Sequence, residues 1–318
     1  MEIRDYRTGD ENKILELFEM VFKQKMTMSY WKWRFEDNPA GKHLIKLMWD
    51  NEILIGHYAV SPVWLNIENT KMLSALSMTT MTHPDYGGLG VFGSLSNALY
   101  KKLEEELDVK AIWGFPNNNS HYGFIKNLKW NDLGQISHLA LPSSKLTGSL
   151  NDNIAMFTHF GVEHGNLISK VTSQFKVAVL RDKLYLNWRY VQNPSVPYDK
   201  FEYRQNGSLL GFVVLKKYPS KIKPDVFDLF ITEIGIEKEN FTIISVLISH
   251  IAAYYNQTEA ILHTWISLFD QRYILLEKLG FIPSSKPTFI GVRPHSEMMN
   301  VLTDYRNWYI SYGDSDVY

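Results

Sequence analysis

The sequence predicts an α+β protein of two tandem domains, each a mixed, mostly antiparallel sheet flanked by helices. Two observations carry that expectation. First, a motif of the form W-R-aromatic-x-x-N-P is written at residues 33–39 and again at 188–194, an offset of 155. At that offset residues 30–60 and 185–215 share eight identities in 31 ungapped positions, where about two are expected from average residue usage. The match runs past the motif, pairing Asn51 with Asn206, Leu54 with Leu209 and Gly56 with Gly211. It resumes at an offset of 151, with Tyr122 on Tyr273, Leu128 on Leu279 and Trp130 on Phe281. Collinear matches separated by a short indel mark an internal repeat of ~150 residues. Second, the elements of the first copy read β-α-α-β-β-β-α-β-α. That order joins an antiparallel meander to one parallel crossover, instead of alternating strand and helix throughout.

Taken in order, residues 1–6 alternate and read as a short strand. In 11–24, Ile14, Leu15, Leu17, Phe18, Val21 and Phe22 recur on one helical face after Asp10, a candidate N-cap. Residues 29–36 read as a second helix with Trp31, Trp33 and Phe35; Asn38-Pro39 ends it, because a residue before proline is pushed out of the helical region. HLIKLMWD (43–50) and ILIGHYAV (53–60) read as a hairpin turning at Asn51-Glu52. MLSALSMTTMT (72–82) is a longer strand of small residues. HPDYGGLGVFGSLSNALYKKLEEEL (83–107) is a glycine loop opening a helix that buries Leu95, Leu99 and Leu103. VKAIWGF (109–115) reads as a further strand and NNNSHYGFIKNLKW (117–130) as a final helix. The expected domains are 1–145 and a degenerate second copy at 181–318, joined by a connecting segment at 146–180.

Charge is balanced: 33 Lys and Arg against 34 Asp and Glu give a net charge of −1. No global field draws such a chain to nucleic acid or to an anionic membrane. There is no cysteine, which removes disulfides, thiolate metal sites and a cysteine nucleophile together. The ten histidines show no HxH or HxxxH spacing, so no metal is expected. The start lacks a basic-then-apolar leader, and no apolar run reaches the ~20 residues of a membrane span. The expectation is a soluble cytoplasmic protein with neither nucleic-acid nor membrane partner and of undetermined oligomeric state.

The element order, with HPDYGGLGVFGSL after the fourth strand, resembles the GNAT superfamily of acyl-CoA-dependent N-acyltransferases. The resemblance covers 1–140 well and 180–318 as a degenerate second copy. The family signature is Arg/Gln-x-x-Gly-x-Gly/Ala, and Gly87-Gly88-Leu89-Gly90-Val91-Phe92 stands in its place. Successive backbone N–H groups ending at a helix N-terminus wrap a pyrophosphate, and glycine lets the backbone approach closely. On this resemblance Gly87, Gly88, Leu89, Gly90, Val91, Phe92 and Gly93 bind the phosphates of acetyl-CoA, the expected co-substrate. Met81 and Thr82 line its pantetheine arm, an N–H near Met81 polarises the acetyl carbonyl, and Asn118 contacts the cofactor after the fifth strand. Two departures stand out: Gly87 replaces the usual Arg or Gln, and the usual catalytic tyrosine position is Ile125.

Acyl transfer to an amine needs a neutral nucleophile and a proton for the departing thiolate, and without cysteine the direct attack is the economical route. Tyr122 is the first candidate acid, beside His121. His83, at the start of the loop, and His57, on the third strand, are candidate bases. In the second copy the loop position reads Glu237-Lys238-Glu239-Asn240, whose carboxylates repel a pyrophosphate. That copy is expected to wall the acceptor pocket, with Asp314 and Asp316 of the closing YGDSDVY holding an ammonium or sugar hydroxyls. Arg34 and Arg189 recur in both copies and are expected to brace helix against sheet. The paired W-R motif and the closing segment resemble a tandem-GNAT group associated with bacterial surface polysaccharides, which suggests an amino sugar as acceptor. The expected activity is transfer of an acetyl or short acyl group from acyl-CoA to a primary amine of a small molecule. Two other readings stand beside it: an aminoacyl-tRNA-dependent transferase of the peptidoglycan-bridge type, and a non-catalytic binding protein that kept the fold.

Overall fold

The computed structural model describes residues 1–118, 120–146, 148–219, 226–236, 242–255, 260–284, 288–295 and 299–317. They divide into two compact units. The first holds 1–65, 70–134 and 289–304; the second holds 66–69, 135–288 and 305–318.

The first unit opens with β1 (Glu2–Asp5), α1 (Glu11–Phe22) and α2 (Met28–Phe35), followed by β2 (Leu44–Asp50), β3 (Ile53–Ile67) and β4 (Thr70–Thr82). Next, α3 (Val91–Glu105) crosses over to β5 (Ala111–Gly114), and a π-helical turn (Gly123–Asn127) leads to β6 (Asn131–Gln135). The second unit follows with β7 (His138–Pro142), β8 (Ile154–Met156), α4 (Val162–Thr172), β9 (Val177–Val179) and α5 (Lys183–Tyr190). It continues through β10 (Tyr198–Gln205), β11 (Ser208–Pro219), β12 (Phe227–Ile236), α6 (Thr242–Tyr254), β13 (Ala260–Trp265), α7 (Arg272–Lys278) and β14 (Ile282–Pro283). Finally β15 (Phe289–Pro294) and α8 (Met299–Leu302) belong to the first unit again.

The sheet of the first unit runs β1-β2-β3-β4-β5-β15-β6, and that of the second runs β8-β10-β11-β12-β13-β7-β14. The two orders agree position for position, so the sequence repeat is a repeat of topology. Each contains the same parallel pair, β4 with β5 and β12 with β13. In each, the strand beside the last comes from a remote stretch of chain: β15 lies between β5 and β6, and β7 between β13 and β14. The α+β class and the two mixed sheets flanked by helices are therefore as the sequence predicts.

Apolar stripes decide which face each helix covers. In the first unit Ile14 and Leu17 of α1 and Trp31 and Phe35 of α2 pack with Ile45, Leu47 and Ala59 on one face of the sheet. Val91, Leu95, Leu99 and Leu103 of α3 pack with Ile55, Val60 and Ile112 on the other. Burial of each such side chain contributes about 1.5–3 kcal/mol. The shared glycines explain how the crossover helix fits. A Cβ on Gly56 would lie 2.4 Å from Val91 and 2.8 Å from Leu95. A Cβ on Gly211 would lie 2.7 Å from Ile243 and 3.4 Å from Leu247. Both sheets thus lack a side chain where the helix crosses closest.

The repeated motif is architectural. Asn38 donates from Nδ2 to Ser61 Oγ (2.8 Å) and to the Pro62 carbonyl (3.0 Å), tying the end of α2 to β3. Arg189 is buried and donates to the carbonyls of Gly313 and Ser315, both at 3.1 Å. Arg34 is buried over the Trp33 ring at 4.8 Å.

Three local expectations change. The segment 146–180 is no bare connector: it carries β8, α4 and β9 and lies in the second unit, whose β8 pairs with β10 as β1 pairs with β2. The helix expected over 117–130 is reduced mainly to the π turn, in which the Leu128 N–H reaches the Gly123 carbonyl at 3.2 Å. Lys129, at φ 57°, then turns the chain out of it. Asp10 stands at the N-cap of α1, but its carboxylate takes Arg4 (2.7 and 2.8 Å) instead of capping the helix.

Candidate functional site

The site is built where β4 delivers the chain into α3. His83 starts a 3-10 turn (Pro84–Tyr86), its Nδ1 accepting from the Asp85 N–H at 3.3 Å and its own N–H bonded to the Ile55 carbonyl at 2.9 Å. Tyr86 donates to Asp50 at 3.0 Å. These contacts pin the entry of the loop and account for His83 as a loop former.

Gly88 and Gly90 have φ of +80° and +74°, the left-handed region that an L side chain resists. A Cβ on either would meet nothing within 4 Å, so their glycine requirement is conformational and the space before them is open. Gly90 is the N-cap of α3 and gives no side-chain cap. The first amides of the helix, on Val91, Phe92 and Gly93, keep the unpaired donors and partial positive charge of a helix start. The Phe92 ring turns inward, 6.0 Å from Tyr58 and 5.3 Å from Phe124. Leu89 is exposed. Gly87 is extended at φ −60°, ψ 144°.

Beside the loop the sheet forks. β4 and β5 pair at Ala75↔Ile112 and Leu76↔Trp113, after which β5 ends at Gly114 while β4 runs on through Met81 and Thr82. Thr79, a β-branched residue at φ 48°, interrupts the regular pleat of β4 there. Its carbonyl accepts from Nδ1 of His57 at 2.7 Å. His57 is wholly buried, and burial pulls its pKa down to about 4 against that hydrogen bond. The ring is therefore neutral at pH 7 and carries its proton on Nδ1. Met81 is buried with the α1–α2 face, while Thr82 is half-buried.

The remaining expected residues lie in varied surroundings. Tyr122 is 68 % exposed, whereas its counterpart Tyr273 is buried. His121 stacks on Phe289 at 4.1 Å and faces Asp132 at 3.1 Å, an arrangement that fixes the ring. Asn118 is exposed in a turn organised by Asn117 and Ser120. Asp314 is buried, taking Arg181 at 2.7 Å and the Ser311 N–H at 2.8 Å, and burial pushes its pKa up against the pull of Arg181. With both oxygens engaged inside the second unit, Asp314 holds the chain's own arginine, not an acceptor. Asp316 is half-buried.

The second unit repeats the fork with different residues around it. The sequence offsets of 155 and 151 carry Leu76↔Trp113 onto Ile231↔Thr264, the last pair of β12 and β13. The place of Gly114 is taken by Trp265, whose ring packs on Tyr312 at 4.6 Å. The loop Glu237–Asn240 lies outside the described residues. Among those described, Glu163, His164 and Glu202 stand close enough to hold a metal ion. However, Arg204 bridges both carboxylates, donating to Glu202 at 2.7 Å and to Glu163, and offsets one of their two negative charges.

Residues 2–131 match the family described as acetyltransferase (GNAT) domain. No curated protein matches the sequence. Among solved structures, one similar chain is a conserved protein of unknown function, a probable N-acyltransferase, from Enterococcus faecalis V583. It has TM-score 0.70 and 14 % identity over 92 % of this chain and 72 % of that one. A GCN5-related N-acetyltransferase from Anabaena variabilis ATCC 29413 gives TM-score 0.68 and 12 % identity, covering 93 % and 73 %. Saccharomyces cerevisiae N-myristoyltransferase with bound myristoyl-CoA gives 0.63 and 11 %, covering 92 % and 82 %. At these identities the likeness is one of fold. Residues 2–131 thus match a GNAT acetyltransferase domain, and the chain as a whole shares the α+β, two-sheet fold of the structures it is similar to.

Proposed function

We propose that the protein is an N-acyltransferase that moves an acetyl or short acyl group from acyl-CoA to a primary amine of a small soluble molecule in the cytoplasm, with an amino sugar as the preferred acceptor. The observation that carries this reading is the loop Gly87–Gly93. Two left-handed glycines, open space before them and an uncapped helix start form a cradle of N–H donors suited to a pyrophosphate. In this reading the thioester lies where β4 and β5 stop pairing, after Leu76↔Trp113. The amine nitrogen attacks the thioester carbon, the C–S bond breaks, and the proton shed by nitrogen ends on sulfur. In this reading the first unit binds acyl-CoA and the second, whose sequence has Glu237-Lys238-Glu239-Asn240 at the loop position and Trp265 at the place of Gly114, does not.

The test is calorimetric titration with CoA, followed by thiol release from acetyl-CoA across a panel of amines that includes D-glucosamine and ethanolamine. Micromolar to millimolar binding and amine-dependent thiol release are expected. Running butyryl-CoA and myristoyl-CoA alongside fixes the acyl length. Absence of any CoA-induced heat or thermal shift overturns the reading.

A further inference from the structure

A line of buried polar groups in the first unit ends at the fork. The Trp130 indole N–H donates to Tyr100 Oη at 3.0 Å, Tyr100 and Tyr58 share a hydrogen bond at 3.1 Å, and Tyr58 and Ser77 share one at 2.9 Å. Tyr58, Tyr100 and Trp130 are buried at 0 %, 3 % and 3 % exposure. Ser77 is half-buried and stands immediately after Leu76, the last residue of β4 paired with β5. A Cβ on Gly114 would lie 3.3 Å from the Ser77 carbonyl oxygen and 3.4 Å from its Cβ, so the missing side chain lets β5 pass close beside that serine at the mouth of the fork.

Indole can only donate, so Tyr100 accepts from Trp130. The Tyr100–Tyr58 and Tyr58–Ser77 hydrogen bonds can each run in either sense. When Tyr100 donates to Tyr58 and Tyr58 to Ser77, the hydroxyl proton left over belongs to Ser77, at the fork.

The internal repeat supplies an independent comparison. At the offsets that align the two copies, Tyr58 becomes Val213, Ser77 becomes Thr232 and Trp130 becomes Phe281. Val91 and Leu95, which cover Gly56, match Ile243 and Leu247, which cover Gly211; continuing that register puts Ala252 at the place of Tyr100. Thr232 turns its hydroxyl to the Val214 carbonyl at 3.1 Å. The second unit keeps the fold with none of the line, so the fold does not require it. It is confined to the copy with the glycine loop and the open fork.

We propose that the Ser77 hydroxyl, polarised and aimed by the Trp130–Tyr100–Tyr58 line, donates a hydrogen bond to the sulfur of the departing CoA thiolate. The inference rests on the acyl-CoA reading above and deepens it. It gives the leaving group a partner in a chain whose usual tyrosine position is Ile125. Ser77 keeps its own proton: the electron pair of the broken C–S bond goes to sulfur, and the neutralising proton is the one shed by the amine. Ser77 is the catalytic residue, while Tyr58 and Tyr100 position it.

The test needs no acceptor. CoA bound to the full-length protein is titrated with pH while thiolate absorbance is followed in the ultraviolet. A donor at sulfur lowers the thiol pKa, and Ser77→Ala is expected to raise it by about 1–2 units, the equivalent of one hydrogen bond to a charged group. Ser77→Thr, which keeps the hydroxyl, restores it. Tyr58→Phe raises it by less, and adding Tyr58→Phe to Ser77→Ala gives no further rise, because the two act as one. CoA affinity, read by calorimetry at a pH below the thiol pKa, stays within about threefold in every variant. A thiol pKa unchanged in Ser77→Ala, with CoA still bound, overturns the inference and leaves the acyl-CoA reading standing. A wild-type protein that binds no CoA overturns that reading and takes the inference with it. A Ser77→Ala protein that loses CoA binding and thermal stability together assigns the serine to folding and also overturns the inference.

Discussion

At the scale of single residues, His57 shows how a buried group can shape a strand without touching a ligand. Its Nδ1–H holds the carbonyl of Thr79, the residue at φ 48° where β4 leaves its regular pleat. Nε2 has no hydrogen-bond partner among the described residues, and burial keeps the ring neutral. The folded state therefore binds fewer protons at this site than the unfolded chain. The stabilisation is fully present above the unfolded pKa of about 6.5 and is lost as pH falls towards about 4. It amounts to about 3 kcal/mol across that window. Urea unfolding at pH 7 and pH 4.5 is expected to show a steeper loss for wild type than for His57→Gln. Equal losses would remove His57 as the source. The sequence places this histidine on the third strand and raises it as a base, but its partner lies 22 residues away. Asp314 is a sharper case: in the sequence it reads as a carboxylate for an acceptor's ammonium or hydroxyls, and only the fold brings Arg181 to it across 133 positions.

At the scale of elements, the loop before α3 was the most legible part of the site because its chemistry is written in residue identity. Left-handed backbone at Gly88 and Gly90 demands glycine, and a helix start without a capping side chain is equally visible as Gly90. Gly90→Ala is expected to cost about 1–2 kcal/mol of stability, the strain of forcing an L residue into that region. It is also expected to weaken CoA binding about tenfold or more, because the first amides of α3 would turn away from the phosphates. Paired thermal melts and CoA titrations check both; unchanged CoA affinity would place the phosphates elsewhere. The π turn at Gly123–Asn127 was less legible, since Phe124, Leu128 and Trp130 are buried as a helical stripe predicts, and the extra residue in the turn leaves no mark in hydrophobic spacing. The line from Trp130 to Ser77 was not legible at all, because it joins β3, β4, α3 and the segment just before β6 at one point.

At the scale of the whole molecule, the repeat was read correctly as two copies of one topology, but not the source of every strand. β6 and β7 follow one another like the arms of a hairpin, as do β14 and β15, and local pattern cannot say that each pair divides between two sheets. The sheets themselves decide it, through the pairing of Val292 with Trp113 and of Leu139 with Thr264. A fragment ending at residue 145 would carry β5 and β6 without the strand that lies between them. Such a fragment is expected to lack a cooperative thermal transition and to aggregate through the exposed edge of β5. Circular dichroism melting and size-exclusion chromatography check this, and a monomeric fragment with a sharp transition would show that β15 is dispensable.

The place of β15 also sets a clock. Synthesis runs from the N-terminus, yet the sheet carrying the glycine loop is not closed until Pro294 has left the ribosome. Domains commonly fold as they emerge. Here the first-made half must wait, its β5 edge unprotected, while the second is built, and the long-range closure favours slow folding. The two copies, once duplicated, thereby lost the freedom to mature or to be inherited separately.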